Sequence, residues 1–532
     1  MITSSEVNTL ITSAAYVGEE MQAEFGRIPP AFLPIGSAYL AQHQLRYLRD
    51  RHRKFISLPI DFELSEPQLR LLGTEEAHVI RVNSERSLGM SVFQAILEIS
   101  PGSPLEILHG DTLVISPPSP SADAVSVDAV TEQYKWGLVS TSQGRVIGVH
   151  DAAASDNLTE DSQMLSGYFF FEDTWEFLRC LMRQDFSFVR AINDYAQLRA
   201  VHVFRGLETL DCGHLKTLYA SRRQLAATRH FNSLGIDNYF VRKRSSDHRK
   251  IAAEANWLRS IPSELQPFSA RLIEDDSRSS PGEYCTLYST YPTVAELYLA
   301  QSSRMVWRRV LDSCIEFLTR AYRHRAPGKE SPFKWLVIDK LHERLREYPG
   351  FLPSLREPLR INGQSVGTLE SIVNHLEAVI SAAPELPSCV MHGDFCFSNM
   401  LFDLRTDCIV LIDPRGLIGD EVTIYGDIRY DIAKLGHSVL GRYDQIMTEG
   451  LRAGGSGADL TLEIPGDRRR DSLEEMFLAA QVADLDFDAV EVKAALVSLF
   501  FSMIPLHAED PARQTALFAN GLRLFKAYFT DK

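Results

Sequence analysis

Three polar residues in the second half of the chain have the types and the spacing that phosphoryl transfer requires. Asp394 is followed by Asn399 after five positions and by Asp413 after nineteen. In this chemistry one carboxylate accepts or orients the proton of the attacking hydroxyl, while an amide oxygen and a second carboxylate hold Mg²⁺ against the phosphates. We therefore expect Asp394 to be the catalytic base and Asn399 and Asp413 to be metal ligands.

Two short apolar runs must position these residues. Residues 389–391 are predicted to form a strand that leads towards Asp394, and residues 408–412 a strand that ends at Asp413. A loop after the first strand and a turn after the second would bring the three polar groups together across a hairpin. The alternative is that the two aspartates only cap turns and that Asn399 only satisfies a loop.

Two short segments carry a family pattern: the loop His392-Gly393-Asp394 and the later turn Asp413-Pro414-Arg415-Gly416. They resemble the catalytic loop and the metal-binding turn of the aminoglycoside phosphotransferase and choline kinase family, over about residues 230–530. The resemblance implies a bilobal protein-kinase-like fold, ATP as co-substrate and Mg²⁺ as cofactor. It also implies a small-molecule hydroxyl as acceptor, since members of this family act on aminoglycosides, choline, ethanolamine and sugars.

Such a kinase needs a strand lysine on the α- and β-phosphates and a helix glutamate that holds the lysine in place. A predicted strand ends in Lys243, and Glu254 follows eleven positions later in a predicted helix. We expect these two residues to bind the nucleotide. The rivals are Arg242, Arg244 and Lys250, and the alternative for the pair is an exposed surface contact.

The same resemblance assigns the remaining parts of the site. Residues 232–238 would form the loop over the phosphates, and residues 283–291 the hinge where backbone groups meet adenine. His392 is interpreted as a residue that braces the loop rather than as a base. Asp427 and Asp431 would also brace the catalytic loop, and helix N-capping is the alternative for both.

Short segments between residues 5 and 225 follow the order of motifs in a second family. SAAYVGEEM at 13–21 lies where that family has a phosphate loop, and Asp111 and Asp211 lie where it has two metal-binding aspartates. In this order the segments resemble the sugar-phosphate nucleotidyltransferases. The resemblance implies a Rossmann-like α/β domain, a metal at Asp111 and Asp211, and a nucleoside triphosphate or nucleotide-sugar as ligand.

Three positions depart from the nucleotidyltransferase pattern. Tyr16 replaces a glycine of the loop, Glu20 replaces its arginine, and Pro30 or Ala31 replaces a lysine. Nucleotidyl transfer needs positive charge on the triphosphate, and a like-charge contact at 4 Å costs about 4 kcal/mol at an effective dielectric constant of 20. We therefore expect a domain with impaired or altered activity, and an active transferase is the alternative.

Length and composition predict more than one domain. The chain has 532 residues, and we expect domains at 1–228 and 229–532, the second with lobes of about 229–292 and 293–532. The formal net charge of −15 argues against broad binding to nucleic acids. Seven cysteines without a C-x-x-C pair, no signal-peptide pattern and no transmembrane pattern favour the cytoplasm.

The sequence thus predicts a phosphotransferase that uses ATP and Mg²⁺ and acts on a hydroxyl of a sugar or an aminoalcohol. Fusion to a nucleotidyltransferase-like domain suits bacterial surface polysaccharide (capsule) or phosphocholine-type metabolism. One alternative is a bifunctional kinase and nucleotidyltransferase that makes a nucleotide-activated sugar or aminoalcohol. The other is a non-catalytic scaffold that binds a nucleotide.

Overall fold

A computed structural model describes residues 7–51, 53–99, 101–130, 137–151, 162–229, 234–273, 282–300, 303–347, 356–448, 451, 453–464 and 467–530. The chain divides into two compact units, Met1–Arg222 and Arg223–Lys532. The division falls within helix α7, Leu215–Arg229. The sequence-based boundary at 228/229 lies in the same helix and stays a prediction.

The N-terminal unit has mixed α/β content, as the sequence predicts. Its strands are β1 Asn8–Thr12, β2 Pro34–Ile35, β3 Ala38–Tyr39, β4 Arg53–Pro59, β5 Ala77–Val82, β6 Leu105–His109, β7 Thr112–Ile115, β8 Ala124–Ala129, β9 Gly137–Ser142, β10 Arg145–Asp151, β11 Gln163–Phe171, β12 His202–Arg205 and β13 Glu208–Asp211. Its other helices are α1 Glu19–Phe25, α2 Leu40–Tyr47, α3 Glu66–Thr74, α4 Leu88–Glu98, α5 Thr174–Arg183 and α6 Phe188–Leu198.

A nine-stranded mixed sheet carries this unit, in the order β5-β4-β1-β6-β11-β8-β12-β10-β9. The strands from β5 to β6 run parallel, and β11 then pairs antiparallel to β6. Parallel neighbours end at the same edge of a sheet, so the segments that follow β1 and β6 lie side by side. A separate antiparallel pair joins β7 to β13, with Asp211 opposite Thr112.

The C-terminal unit combines small sheets with many helices. Its strands are β14 Leu234–Ile236, β15 Phe240–Arg244, β16 Glu283–Leu287, β17 Arg325–Glu330, β18 Leu359–Ile361, β19 Gln364–Gly367, β20 Pro387–Val390, β21 Met400–Asp403, β22 Cys408–Leu411, β23 Leu417–Ile418, β24 Glu421–Val422, β25 Tyr425–Gly426, β26 Ala453–Ser456, β27 Asp459–Leu462, β28 Gln481–Val482 and β29 Leu485–Asp486. Its helices are α8 His248–Ser260, α9 Val294–Leu299, α10 Arg304–Arg323, α11 Lys340–Glu347, α12 Leu369–Ala382, α13 Ile428–Val439, α14 Tyr443–Met447, α15 Arg468–Leu478, α16 Val490–Met503 and α17 Pro511–Phe529.

Three of these sheets position the candidate site. The antiparallel sheet β14-β15-β16 packs with helix α8, the sheet β17-β20-β25 leads into the loop after β20, and the hairpin β21-β22 follows. Helix α8 begins at the cap Asp247, whose carboxylate accepts a hydrogen bond from the Lys250 amide. Side-chain caps of this kind satisfy amides that the first turn of a helix leaves without partners.

Two helices form the centre of the C-terminal unit. All residues of α13 are buried, and it packs against α16. Residues Val490–His507 are long and apolar enough to cross a membrane by length and composition, with a mean hydropathy of 1.4. Two thirds of that stretch is buried inside the unit, which is the environment of a core helix.

The sequence predicts a helix near 305–322 with one apolar face, and the structure has α10 there. Four residues of that face, Val310, Cys314, Phe317 and Ala321, are buried, and the fifth, Val306, is half-buried. The region after residue 431, predicted to be mainly helical, also contains the short strands β26 to β29. The glycine-rich stretch at 454–457, predicted as a break between helices, forms most of strand β26 and, with Gly457, the start of the turn into β27. A run of glycines carries little strand propensity, so this hairpin has no clear period-2 signal in the sequence.

Candidate active site

The loop after β20 is held by hydrogen bonds from its own backbone. Asp431, in the first turn of α13, accepts from the amides of His392 and Gly393 through its two carboxylate oxygens, both at 2.7 Å. Asp431 therefore braces the loop. Asp427 does not contact the loop in this way: its carboxylate caps α13 and pairs with Arg429 at 2.8 Å.

His392 is a structural residue in this loop. Its Nδ1 accepts from the Asp394 amide at 3.3 Å, and its Nε2 donates to the Ile412 carbonyl at 3.0 Å. Burial lowers the pKa of His392 to about 4, so the ring stays neutral at physiological pH. A neutral ring with both nitrogen atoms engaged has no free site to act as a base.

The hairpin β21-β22 brings Asn399 and Asp413 together at its open end. Met400 pairs with Leu411, and the Ile412 amide donates to the Asn399 carbonyl at 3.0 Å. The Asn399 side-chain amide donates to the Asp394 carboxylate at 2.8 Å and to its carbonyl at 3.1 Å. Asp394, Asn399 and Asp413 all line one cavity of about 430 Å³. Their predicted convergence is present in the structure, while their catalytic and metal roles stay predictions.

The predicted lysine and glutamate meet in the same cavity. Lys243 Nζ lies 2.8 Å from Glu254 Oε2 and 3.0 Å from Asp413 Oδ1. Burial alone would lower the pKa of Lys243, but the two carboxylates outweigh it and the pKa is raised. The lysine is therefore a permanent cation beside the group predicted to hold the metal. Tyr284, on β16, donates from its hydroxyl to the same Glu254 oxygen, Oε2, at 3.0 Å.

The rival cations have other partners. Arg242 pairs with Asp237 at 2.9 Å, and Arg244 pairs with Glu283. Lys250 reaches Glu254 only at 4.0 Å and is more than half exposed. A single residue shift along β15 turns a side chain to the opposite face of the sheet, which is why Lys243 and its neighbours have different environments.

Helix α8 is locked against the turn that carries Asp413. Gly416 has φ +60°, and a Cβ at this position would lie 2.1 Å from the Ala253 carbonyl oxygen. The neighbouring Trp257 donates from its indole nitrogen to the Met391 carbonyl at 2.7 Å. The helix that supplies Glu254 is therefore fixed to both the catalytic loop and the Asp413 turn.

Lys434 is a component of the site that the sequence analysis missed. Its Nζ lies 2.7 Å from Asp394 Oδ1, and the lysine is 7% exposed. Burial raises the pKa of Asp394, but the charge and hydrogen bond of Lys434 outweigh it and hold the pKa well below its usual range. The signal was its position three residues after Asp431 on α13, which puts both side chains on one face of the helix.

The donor set suits a hard divalent cation. The Asn399 amide nitrogen is used by Asp394, which leaves its oxygen for a cation, and the Asp413 carboxylate is 43% exposed towards the cavity. Oxygen ligands of these two types are those that Mg²⁺ prefers. Among the described residues no group of three or more His, Cys, Asp or Glu side chains could hold a metal. An ion here would therefore share its coordination with phosphate oxygens and water.

The segment predicted to cover the phosphates is a β-hairpin. Residues 234–236 form β14 and turn back into β15, while Asn232 and Ser233 lie outside the described residues. The proposed hinge contains β16 and the bend that follows it. Asp237 closes the hairpin turn by accepting from the Phe240 amide at 2.8 Å.

The two predicted aspartates of the N-terminal unit also converge. A Cβ on Gly213 would lie 2.8 Å from Asp111 Oδ2 and 3.2 Å from Asp211 Oδ1, so the carboxylates flank this glycine. Burial raises the pKa of Asp211, and the charge of Asp111 adds to it. Among the described residues, Asp211 Oδ2 is a buried oxygen without a hydrogen-bond partner. A role in metal binding stays a prediction for both residues.

A cluster of side chains lies beside the predicted phosphate loop of the N-terminal unit. Tyr16, at the position of the family glycine, donates from its hydroxyl to Asp61 at 2.9 Å. Arg27 lies 3.7 Å over the Tyr16 ring and pairs with Asp61 at 2.9 Å. Of the two positions predicted to replace the lysine of the family, Ala31 is fully buried in a 3₁₀ turn and Pro30 is the first residue of that turn.

Residues 222–464 match the model of the phosphotransferase enzyme family. The match confirms the resemblance found in the second half of the sequence. It indicates a kinase-type enzyme with ATP as phosphate donor, an activity that typically needs a divalent metal. Comparison with curated proteins finds no match.

Solved structures of nucleotidyltransferases align with the N-terminal part. UDP-glucose pyrophosphorylase complexed with UDP-glucose is 16% identical, with 43% of this chain and 100% of that chain covered and a TM-score of 0.34. A UTP-bound UGPase from Acinetobacter baumannii is 14% identical, with 42% and 94% covered and a TM-score of 0.33. The inositol-1-phosphate CTP transferase from T. maritima is 10% identical, with 42% and 96% covered and a TM-score of 0.34.

Proposed function

We propose that the C-terminal unit transfers the γ-phosphoryl group of ATP to a hydroxyl of a small molecule, a sugar or an aminoalcohol, with Mg²⁺ as cofactor. The observation that carries the proposal is a single cavity of about 430 Å³ lined by Lys243, Glu254, Asp394, Asn399 and Asp413. Each chemical role in phosphoryl transfer has one candidate there.

The mechanism follows from the charges in the cavity. The acceptor oxygen attacks the γ-phosphorus, the bond to the β–γ bridging oxygen breaks, ADP leaves, and the hydroxyl proton passes to Asp394. Lys434 keeps Asp394 ionised and Asn399 orients it, so the carboxylate is ready to accept a hydrogen bond from the hydroxyl. Lys243, held by Glu254, binds the phosphates of the nucleotide. Mg²⁺, held by Asn399 and Asp413, would neutralise charge on the phosphates.

The substitution Asp394→Asn tests the base assignment. It removes the proton acceptor but keeps the size of the side chain, and we expect turnover to fall by about 10²- to 10⁴-fold. ATP affinity should stay within about twofold, because Lys243 and Asp413 are untouched. Product formation from labelled ATP with a panel of acceptors measures the first quantity, and equilibrium nucleotide binding measures the second.

The matched control is Asp459→Asn, which removes a carboxylate that is 64% exposed in the hairpin β26-β27. Both quantities should equal those of the wild type in the control. Undiminished turnover in Asp394→Asn would remove the base assignment. ATP binding by the wild type without product from any acceptor would favour the non-catalytic scaffold, although a scaffold has no need of both metal ligands.

A second candidate function belongs to the N-terminal unit. The convergence of Asp111 and Asp211 around Gly213 favours a divalent ion, and hence nucleotidyl transfer. The surroundings of Tyr16 argue against nucleotidyl transfer, because Arg27, the cation beside this loop, is already stacked on Tyr16 and paired with Asp61. Incubation with CTP, UTP or GTP and a panel of sugar or choline phosphates decides between them. Release of pyrophosphate supports the bifunctional enzyme, and none across the panel supports an altered binding domain.

The setting of the reaction is also part of the proposal. All seven cysteines are free thiols, and five of them are buried, which suits the reducing cytoplasm. A kinase joined to a nucleotidyltransferase-like unit fits the supply of activated sugars or aminoalcohols for surface polysaccharides. The measurement is the amount of phosphorylated product in a cytoplasmic extract. Product that depends on Asp394 would support both the cytoplasmic setting and the supply of activated sugars or aminoalcohols.

A further inference from the structure

One side of the candidate active-site cavity is strongly basic. Lys340 and Arg344 from α11, Arg415 from the turn after Asp413, and Lys434 from α13 line it together with Tyr430. We call these four cations the basic wall. The sequence analysis assigned a role to none of them.

The basic wall is held together around one aromatic ring. Lys340 Nζ lies 3.1 Å from the Tyr430 hydroxyl, and the Arg415 guanidinium lies over the Tyr430 ring at 5.2 Å from its centre. Arg344 donates to the Ser502 carbonyl at 2.7 Å. These contacts fix the cations in place. Burial raises the pKa of Tyr430, but the charges of Arg415, Lys340 and Lys434 outweigh it and lower the pKa to about 7.

Carboxylates are scarce around the basic wall. Lys434 pairs with Asp394 at 2.7 Å. In the part of the chain that the structure describes, no carboxylate lies within 4 Å of the side-chain nitrogens of Lys340, Arg344 or Arg415. Four basic side chains thus share one carboxylate and one phenol with a lowered pKa, in a protein whose formal net charge is −15. The wall is therefore a local feature that the overall composition does not explain.

The other charged residues that line the cavity are balanced. Lys243 and Lys250 lie among Asp247, Glu254 and Asp413, so that cations and carboxylates nearly cancel before a nucleotide and a metal enter. The excess positive charge therefore belongs to the basic wall, whose Lys434 contacts the predicted base Asp394. This separation indicates that the basic wall serves the acceptor, and that Lys243 serves the nucleotide.

We propose that the acceptor carries a phosphate or carboxylate group besides the hydroxyl that is phosphorylated, and that the basic wall binds this anion. The inference rests on the proposed phosphotransferase function and names the substrate class of the same cavity. Basic side chains that are buried or half-buried without a carboxylate partner are costly, and an anionic ligand with charge-assisted hydrogen bonds offsets the cost. A cationic acceptor such as choline or ethanolamine would meet repulsion at the same place.

The arrangement on α11 supports a binding role over a structural one. Lys340 and Arg344 are four residues apart, so they lie on one face of the helix, where like charges destabilise it. Burial, followed by the charge of Arg415, lowers the pKa of Lys340 to about 7. A helix under these constraints would be more stable with an apolar residue in place of Lys340. We therefore attribute the presence of Lys340 to binding of an anionic ligand.

The first experiment compares neutral, anionic and cationic acceptors with related carbon skeletons. Glucose, glucosamine, glucose 6-phosphate and glucuronate form one set; glycerol, glycerol 3-phosphate and glycerate form a second; and choline and ethanolamine form the cationic set. We expect kcat/KM for the best phosphorylated or carboxylated acceptor to exceed that of its neutral counterpart by at least about tenfold. A neutral or cationic compound as the best acceptor would overturn the inference and leave the phosphotransferase proposal intact.

The second experiment removes charge from the basic wall. Lys340→Met and Arg344→Met should each raise the KM for the anionic acceptor by about tenfold or more, while ATP affinity changes less than about twofold. Arg346→Met is the matched control, because Arg346 is exposed on the same helix and should leave both quantities unchanged. Lys340→Met should also unfold at the same or a higher temperature than the wild type, which separates lost binding from lost folding.

Direct binding covers the case in which no acceptor reacts. Glucose 6-phosphate is titrated into wild type, Lys340→Met and Arg346→Met in the calorimeter, with glucose as the uncharged comparison. Affinity for the phosphate ester that falls about tenfold in Lys340→Met alone supports the inference. Equal affinity in all three proteins, or none in the wild type, overturns it. Failure of the proposed function is recognised separately, as absence of ATP-dependent product with every acceptor in the panel.

Discussion

Both units of this protein place two carboxylates together at the ends of strands, and they differ in the cations around those carboxylates. In the C-terminal unit Asp413 has Lys243 at 3.0 Å and Asp394 has Lys434 at 2.7 Å. Within the described residues of the N-terminal unit, Asp111 and Asp211 form no ion pair with lysine or arginine. Acidic groups can gather a metal, but a polyphosphate also needs positive charge.

The fate of one arginine illustrates the difference. Arg27 lies close to the predicted phosphate loop, yet its guanidinium stacks on Tyr16 and pairs with Asp61. The charge of Arg27 is thus already paired with Asp61. In the C-terminal unit Lys243 and Lys434 also pair with carboxylates, but both the lysines and their carboxylate partners line the cavity.

The largest effect that would test this comparison is expected for Asp413→Asn. The change removes the charge that faces Lys243 and the metal, and we expect phosphoryl transfer to fall by about 10²- to 10³-fold. Higher Mg²⁺ should restore part of the lost rate, because a weaker ligand needs a higher metal concentration. Initial rates over a Mg²⁺ series measure both effects.

The same hairpin provides the control for this substitution. Asp407 lies in the turn of β21-β22 with φ 54°, close to the φ of 56° at Asp413. Asparagine tolerates this backbone region, so neither variant should be strained. Asp407→Asn should have wild-type rates at every Mg²⁺ concentration. An equal loss of activity in both variants would mean that the hairpin, and not the Asp413 charge, is what matters.

A smaller effect is expected when the cation beside the base is removed. In Lys434→Met, burial is no longer opposed, so the pKa of Asp394 should rise from well below its usual range by about one unit or more. Asp394 is active when ionised, so the acidic limb of kcat/KM should move to higher pH while the rate at high pH changes less. A pH profile that runs from the lowest pH at which the protein stays folded up to pH 9 measures the shift.

The pH dependence of folding stability should change in the same direction as the pH dependence of activity. A carboxyl with a depressed pKa in the folded state stabilises the protein above its unfolded pKa, and that contribution is lost as the pH falls through the folded pKa. Lys434→Met removes this contribution, whereas Lys334→Met removes a cation that is 55% exposed and should change neither profile. An unshifted acidic limb in Lys434→Met would show that the lysine does not control the base.

The sequence was most informative where chemistry demands fixed residue types at short spacing. Asp394, Asn399 and Asp413 lie within one loop and one hairpin, so their convergence needs only local structure. Lys243 and Glu254 were identified because a kinase requires such a pair, and the strand and helix that carry them follow one another directly.

The residues that the sequence analysis missed come from distant elements. Tyr284 reaches Glu254 from β16, and Lys340 reaches Tyr430 from α11. A lysine on a helix is usually a solvated residue, so its type alone gives no sign that folding will bury it. The charge argument for Glu20 was also too strong, because Glu20 is exposed and a screened contact is worth about 1 kcal/mol or less.

The smallest effect is expected at the acidic pair of the N-terminal unit. If Asp111 and Asp211 hold a divalent ion, Mg²⁺ or Mn²⁺ at ten times its dissociation constant should stabilise this unit by about 1.4 kcal/mol. Asp211→Asn should abolish that gain and keep the hydrogen bond from the Gly213 amide. Thermal unfolding with and without the cation, in an Asp413→Asn background, excludes the contribution of the kinase site.

Without the cation, Asp211→Asn should change stability in the opposite direction, and this comparison completes the test. The raised pKa of Asp211 means that its ionised form destabilises the folded unit at neutral pH, and the cost decreases as the pH falls through that pKa. Without cation, Asp211→Asn should therefore be as stable as the wild type or up to about 1 kcal/mol more stable. The exposed Asp185→Asn should leave both states unchanged. A cation-dependent gain that persists in Asp211→Asn would show that the paired carboxylates do not form the metal site.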